Sequence, residues 1–588
     1  MRLLLPTSAT ALILLAVAAP SRALGIVEKI EVRGLDRDDE AAMIENIELS
    51  LSLNQALDKR LGESRLEYLL QRAQAQARQA LEPFGYYDPT ITVDAPRQGE
   101  RVTVVITVDK GQPVRVRESD VGMTGPAGED RYLQRDLEAF RPRQGEVFDH
   151  ALYESSKITV TRRLSERGYF DADFTERKVE VTRADHAADI LLRWDSGRRY
   201  DMGPVTFHQT RFRPGLLNQL VYWEEGSYYH QGRLDRLRES LNKLDYFSTI
   251  DIQTDPEAAD DWRVPVEVNL TLANRDVYTV GLSYGTDSGA GVRLGFERRY
   301  VNSRGHKLAS QIDWAQKRKT FTTQYRIPAF RWLDGWYTAA IQGSDEQTEY
   351  IDLRHVEFIA SRSGELNERW TAEASLRALR ERWRYGSAGV PYQYATFTYP
   401  ELTAKYISEP YDRFYPREGW GVDLALRGGL QGAGSDASFA QVHGTVRWFR
   451  GLGPNSRLLT RGEFGATYTD ELVSMPPTLR YFAGGDRSIR GYSWREVGPR
   501  IDEKYALGGK HVMTWSAEYE HYFSGGPWGM AAFVDSGSAF DDRPDWHTGV
   551  GMGLRWKSPV GPVRVDIARG LNGPDSAFQI HLNIGADL

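Results

Sequence analysis

Between residues 27 and 275 the apolar positions follow two spacings in turn. Leu66, Leu69, Leu70, Ala73, Ala77 and Leu81, and later Leu234, Leu237, Leu241 and Leu244, recur every three or four residues and predict amphipathic helices. Segments of period two follow and predict strands: 90–93 and 102–108 after the first helix, 178–181 and 190–194 in a second copy. Where helix gives way to strand, an aromatic pair appears three times: Phe84-Gly85-Tyr86-Tyr87-Asp88, Arg167-Gly168-Tyr169-Phe170-Asp171 and Leu244-Asp245-Tyr246-Phe247-Ser248. The tyrosines at 86, 169 and 246 stand about 83 and 77 residues apart, a module spacing too long for one solenoid unit. Each module opens with a strand, such as Val27 to Val32, and has a first helix before the long one. The order β-α-α-β-β predicts a small sheet with helices on one face. Gly145-Glu146-Val147-Phe148 and Gly226-Ser227-Tyr228-Tyr229 occupy matching positions between the two helices.

From Val277 the helical period vanishes, and segments of about ten residues alternate in polarity between turns, as in 292–297, 424–427 and 581–584. One side chain to lipid and the next to a lumen is the pattern of a transmembrane β-barrel. Sixteen strands are predicted, beginning near residues 277, 290, 306, 320, 335, 349, 367, 391, 419, 437, 455, 512, 528, 546, 561 and 577. Trp332 and Trp336 are expected in an aromatic girdle. A gap from Thr467 to His511 is far longer than an ordinary connection and is expected to be functional.

Composition sharpens the division. Sixteen of the 55 glycines and three of the 15 tryptophans precede Val277. Met1-Arg2, an apolar run to Ala19 and Ser21-Arg22-Ala23 read as a secretory signal peptide with Leu24 as the mature N-terminus. Zero Cys excludes disulfides, thiolate metal sites and cysteine nucleophiles, and suits a bacterial envelope protein. The formal charge of −7 gives no sign of nucleic acid as a partner. Gly281-Leu282-Ser283-Tyr284-Gly285 satisfies a hydrolase pattern, but that chemistry needs a strand-to-helix elbow, and an alternating strand runs through these residues. The 11 His are scattered. No catalytic residue, metal, cofactor or nucleotide is expected.

Within the long gap, Ile489-Arg490-Gly491-Tyr492 resembles the sixth-loop motif Val/Ile-Arg-Gly-Phe/Tyr of the Omp85 superfamily. Phe533-Val534-Asp535-Ser536-Gly537 resembles that family's strand motif, and 558–566 its C-terminal hairpin. The resemblance implies an α+β plus all-β chain: three tandem β-α-α-β-β POTRA domains followed by a 16-stranded antiparallel transmembrane β-barrel. The divisions are 1–23 signal peptide, 24–110, 111–197 and 198–275 for POTRA 1 to 3, and 276–588 for the barrel, with an inward loop over 467–511. It also implies that the loop folds into the lumen, where Arg490 reaches Asp535 and a Glu on the preceding strand. Glu518 is the better placed, with Glu520 on the same face. A guanidinium is always charged and forked, so two carboxylates can satisfy it. Gly491 is expected to permit close backbone approach and Tyr492 to pack against the wall.

Three POTRA modules resemble the TamA branch of the family. That implies a noncatalytic machine whose POTRA modules present strand edges and whose first module meets a TamB-like inner-membrane-anchored protein, a contact that crosslinkers along 30–33 and 103–108 would test. Implied clients are unfolded outer-membrane proteins and autotransporters, in contact with outer-membrane lipid and without nucleic acid. The first and last strands, 277–284 and 577–584, would form a weakly paired lateral gate containing Gly281, Gly285 and Gly585. A BamA-type insertase and a two-partner secretion transporter are the alternatives within the family. A passive channel or the docking end of a lipid-transport bridge is the alternative from another class.

Overall fold

The computed structural model describes residues 24–285, 288–330, 334–348, 351–386, 390–408, 415–501, 505–558, 561–572 and 578–584. The expected signal peptide lies outside them. The chain divides into two compact units, and the third module contributes to both.

The first module folds around helices α1 (Ala41–Ser50) and α2 (Glu63–Leu81). Leu66, Leu69, Ala73, Ala77 and Leu81 of α2 are buried against a sheet whose strands run in the order Arg60–Gly62, Leu24–Arg33, Arg101–Asp109, Thr90–Asp94. The strand at 103–108 is therefore central, paired on both sides, and offers no free edge. Among the described residues, no strand pairs with the outer side of Thr90–Asp94 or of residues 29–33. The second module repeats the plan with α3 (Arg131–Glu138) and α4 (His150–Glu166). Asp130 and Asp149 cap these helices by accepting from the amides of Tyr132 and Leu152, which satisfies amides the helices leave open. Trp194 is buried in this core. Its replacement by alanine is expected to cost about 3–5 kcal/mol, read as early protease cleavage within 111–197 of the full-length protein. The third module keeps its long helix α5 (Gln231–Leu244), but its first helix shrinks to a 3-10 turn at Leu217–Leu220. Pro214-Gly215 just upstream shortens it, because proline fixes φ and glycine disfavours helix.

The repeated aromatic motif forms the joints. The Gly85 carbonyl accepts from the Val114 amide, whose carbonyl accepts from Phe148; the Gly168 carbonyl accepts from Tyr200, whose carbonyl accepts from Tyr229. The two inter-helix segments noted in the sequence are thus the sockets for the preceding modules. The Tyr87 hydroxyl and His150 Nε2 share a hydrogen bond of 2.6 Å, and burial pushes the phenol up to about 12. At the third copy Asp245 adopts the left-handed conformation taken by the two glycines, and Arg299 Nε donates to its carboxylate at 2.7 Å. The Tyr246 hydroxyl donates to the Gly305 carbonyl.

Residues from 276 form one antiparallel sheet of sixteen strands: β1 (Asp276–Gly285), β2 (Gly289–Arg298), β3 (Lys307–Ala315), β4 (Arg318–Pro328), β5 (Gly335–Gln347), β6 (Ile351–Glu365), β7 (Trp370–Tyr385), β8 (Gln393–Ile407), β9 (Gly419–Gly429), β10 (Phe439–Leu452), β11 (Ser456–Tyr468), β12 (His511–Tyr522), β13 (Trp528–Phe540), β14 (His547–Ser558), β15 (Gly561–Gly570) and β16 (Phe578–Ile584). Every strand starts within three residues of its predicted start. Apolar side chains such as Leu294, Phe358, Leu376, Met552 and Ile580 face outward and are exposed, as lipid contact requires. The stacked pair Trp528–Trp556 and the tilted pair Trp420–Trp448 supply outward aromatics. Trp336 does not: it faces inward, with Arg326 and Lys307 over its ring, and the adjacent Tyr337 takes the outward position. Trp332 lies outside the described residues. Ladders run unbroken from β1 to β16, but among the described residues none joins β16 to β1.

Candidate functional site: the loop arginine and the lumen wall

The described residues of 469–510, between β11 and β12, fold inward in two arms. In the first, Leu472, Met475 and Leu479 pack on inward side chains of β6 to β8 and β10, including Leu353, Trp383 and Phe397. Thr478 hydroxyl donates to Glu381, and Arg480 closes the arm by donating to the carbonyls of Val473 and Met475.

The second arm carries the Arg-Gly-Tyr motif against β12 to β16. Arg490 is 5 % exposed. Its Nε donates to Asp535 Oδ2 at 2.7 Å and its Nη2 to Asp535 Oδ1 at 2.9 Å, a forked pairing on β13. Nη1 donates to Glu518 Oε2 on β12 at 2.6 Å and to Asp566 Oδ2 on β15 at 3.0 Å. The remaining Nη2 hydrogen points to Ser516 Oγ at 3.4 Å. A guanidinium has five N–H donors, and all five are engaged. Below it lies the Phe533 ring, 3.3 Å from the guanidinium carbon to the centroid. The Arg490 amide also donates to Asp535, at 3.0 Å.

Period-two alternation on β12 sends both Glu518 and Glu520 inward, and the geometry separates them. Glu518 meets Arg490; Glu520 instead accepts from Arg457 Nε on β11 at 2.7 Å and from Arg555 Nε on β14 at 3.0 Å. Arg555 also bonds Glu518 and Asp566 at 2.6 Å each. The buried charges thus form one alternating network, in which each carboxylate is held by one or more arginines. Isolated charges at this depth would be costly.

The flanking motif residues fill specific roles. Ile489 is fully buried. Gly491 has φ +96°, a left-handed value, and a Cβ there would stand 2.7 Å from the Arg569 backbone of β15. Tyr492 hydroxyl donates to the Asn572 carbonyl at 2.7 Å. The Gly537 backbone lies so near β12 that a Cβ would meet Met513 oxygen at 2.5 Å. The loop also touches the last strand: Gly491 amide donates to His581 Nε2 at 3.1 Å, and Gln579 donates to Ser493 Oγ at 3.0 Å.

Of the expected gate glycines, Gly281 and Gly285 lie on β1, opposite Arg293 and Gly289 of β2, whereas Gly585 falls outside the described residues. Ser283 sits within the same straight ladder, opposite Gly291, with no elbow. Sequence reading missed Asp566, Arg555, Arg457 and His581. Alternation marks Arg564 and Asp566 as inward-facing, but which strands converge on one arginine depends on how the sheet curls.

A model of the Omp85 superfamily domain matches residues 278–587. A model named POTRA domain TamA domain 1 matches 29–110, and one named surface antigen variable number repeat, a POTRA model, matches 116–193. Outer membrane protein assembly factor BamA of Nitratidesulfovibrio vulgaris is 24% identical over 430 residues, covering 68% of this chain; the chain spans about half of that relative, 52%. The same-named protein of Neisseria meningitidis is 21% identical, covering 82% of this chain and 68% of its own. In fold, BamA from Haemophilus ducreyi lacking POTRA domains 1-3 is similar with a TM-score of 0.63 at 17% identity, covering 80% of this chain and 99% of that one.

Proposed function

Because the chain belongs to the Omp85 superfamily, we propose that it inserts or secretes other barrel proteins at the bacterial outer membrane, with its POTRA modules in the periplasm. Members such as BamA are insertion factors and perform no chemical reaction. The observation that carries the reading is the seam: fifteen neighbouring strand pairs share ladders, and none joins β16 to β1 among the described residues. A strand edge that lacks a ladder partner is a template for an incoming strand. Gly281 and Gly285 on β1 reduce packing at that edge.

Within the family the reading is a translocation-and-assembly subunit of the TamA type. Autotransporters and other outer-membrane proteins are its clients, and a TamB-like inner-membrane-anchored protein docks on the first module. The match of 29–110 to the TamA-named POTRA model supports this over a general BamA-type insertase. Photocrosslinkers at Lys29, Glu31 and Thr92 in cells are expected to capture a large inner-membrane-anchored protein. Capture of periplasmic lipoproteins would move the reading to a BamA-type insertase, and of a single exoprotein to a two-partner transporter.

Stapling the seam tests the gate. A disulfide engineered between β1 and β16 is expected to abolish client assembly and to be reversed by reductant. A staple between β1 and β2 at the paired positions Leu282 and Val292 should leave assembly intact. Full activity with the seam closed would overturn lateral opening.

A further inference from the structure

On the outer wall, bases gather at one place. Lys319 on β4, Arg354 on β6 and Arg380, Arg382 and Arg384 on β7 all hold lipid-facing registers near the extracellular end. Their facing is fixed by their neighbours: Leu353, Leu379 and Trp383, of opposite parity, lie in the lumenal core under the loop. Arg354 stands directly opposite Arg382, a like-charge pairing that destabilises a sheet. Asp345 pairs with Arg354 at 3.0 Å and Asp352 with Arg384 at 3.1 Å. Arg382 lies over the Tyr392 ring and Arg380 bonds Thr396, with no carboxylate on either among the described residues. Asp436, whose carboxylate accepts from the Thr396 amide at 2.7 Å, is a third acid here, so among the described residues five bases meet three acids and two positive charges are in surplus.

Height and location give the surplus a meaning. From Trp370, beside Tyr406 at the periplasmic end, to Arg380 is ten residues of tilted strand, about 25 Å, the thickness of a barrel's apolar band. Between them the outward positions are Ala372, Ala374, Leu376 and Ala378. Arg380 therefore sits where acyl chains end and headgroups begin. The feature is local: on β9 to β12 and β14 the exposed outward positions near that end include Leu426, Val442, Phe464, Met513 and Val550.

We propose that the outer faces of β4, β6 and β7 bind the phosphorylated headgroup of an outer-leaflet lipid. Forked guanidiniums match phosphate oxygens, and the apolar face of Val356, Phe358 and Leu376 below receives the acyl chains. A phosphate between Arg354 and Arg382 relieves their repulsion. The inference rests on the orientation used in the proposed function, but its test needs no client, so either can fail alone.

Native mass spectrometry of the full-length protein in detergent, titrated with diphosphoryl lipid A or its dephosphorylated form, reads the site. Wild type is expected to retain the phosphorylated lipid at least fivefold more. Arg380→Gln with Arg382→Gln should bring the ratio to about one, while Arg569→Gln on β15 leaves it unchanged. Equal retention of the two lipids by wild type overturns the proposal whether or not the double variant folds. An unchanged ratio in a folded double variant also overturns it, as does full displacement by equimolar free pyrophosphate, which would mark a bare-anion site.

Discussion

Replacing Arg490 by alanine is expected to free the loop from the wall and to abolish function. Asp535, Glu518 and Asp566 are all buried; without the guanidinium Asp535 loses its forked pairing, and Glu518 and Asp566 are left to share Arg555 between them. Removing one partner of a buried ion pair costs about 3–5 kcal/mol, which here falls on docking of the second arm more than on the barrel, whose ladders remain. Protease should then cut within 480–500 of the folded protein, and conductance across planar bilayers should rise as the lumen empties. Arg490→Lys is expected to behave almost as badly, because a single ammonium cannot make the forked contact with Asp535 while also reaching Glu518 and Asp566. Unchanged conductance and protease resistance in both variants would count against a loop held by this arginine.

Gly549→Ala should reproduce that outcome with every charge in place. A Cβ on Gly549 of β14 would lie 1.8 Å from the Arg490 carbonyl oxygen, a backbone atom that no rotamer change can move aside. The motif must lift from the wall, and the forked contact with Asp535 is lost with it. The expected signs are protease cleavage at 480–500 and raised conductance, with barrel heat resistance close to wild type. If Gly549→Ala fails like Arg490→Ala, position of the motif and not net lumen charge is what function requires. A wild-type phenotype would mean that the loop does not lie against β14 in the membrane.

The barrel was legible because a membrane imposes a period of two on every strand, and the starts follow wherever alternation begins after a turn. The Arg490–Asp535 and Arg490–Glu518 contacts were legible only through a family motif, since no local rule links residues so far apart in sequence. Asp566 illustrates the limit: it faces the lumen by alternation, as Glu520 does, yet only sheet closure brings Asp566 to Arg490 and sends Glu520 to Arg457 and Arg555. Trp336 shows the converse, an aromatic whose type suggested lipid and whose register turned it inward beside Arg326. In the N-terminal half the helix of each module was visible in its apolar stripe, whereas the shortened first helix of the third module turned on Pro214-Gly215. The strand at 103–108 is central because it pairs in parallel with 26–33 on one side and antiparallel with 90–94 on the other, and the parallel partner, distant in sequence, leaves no signature in the alternation.

The joints carry a consequence for how such a chain changes over generations. Gly85 with Val114 and Phe148, and Gly168 with Tyr200 and Tyr229, use the same backbone bonds, so the tail of one module fits the head of either successor. A duplication or deletion spanning one whole repeat restores a complete joint at the new boundary, while one ending elsewhere leaves a tail without its head. Repeat number in a lineage is then free to drift in whole steps.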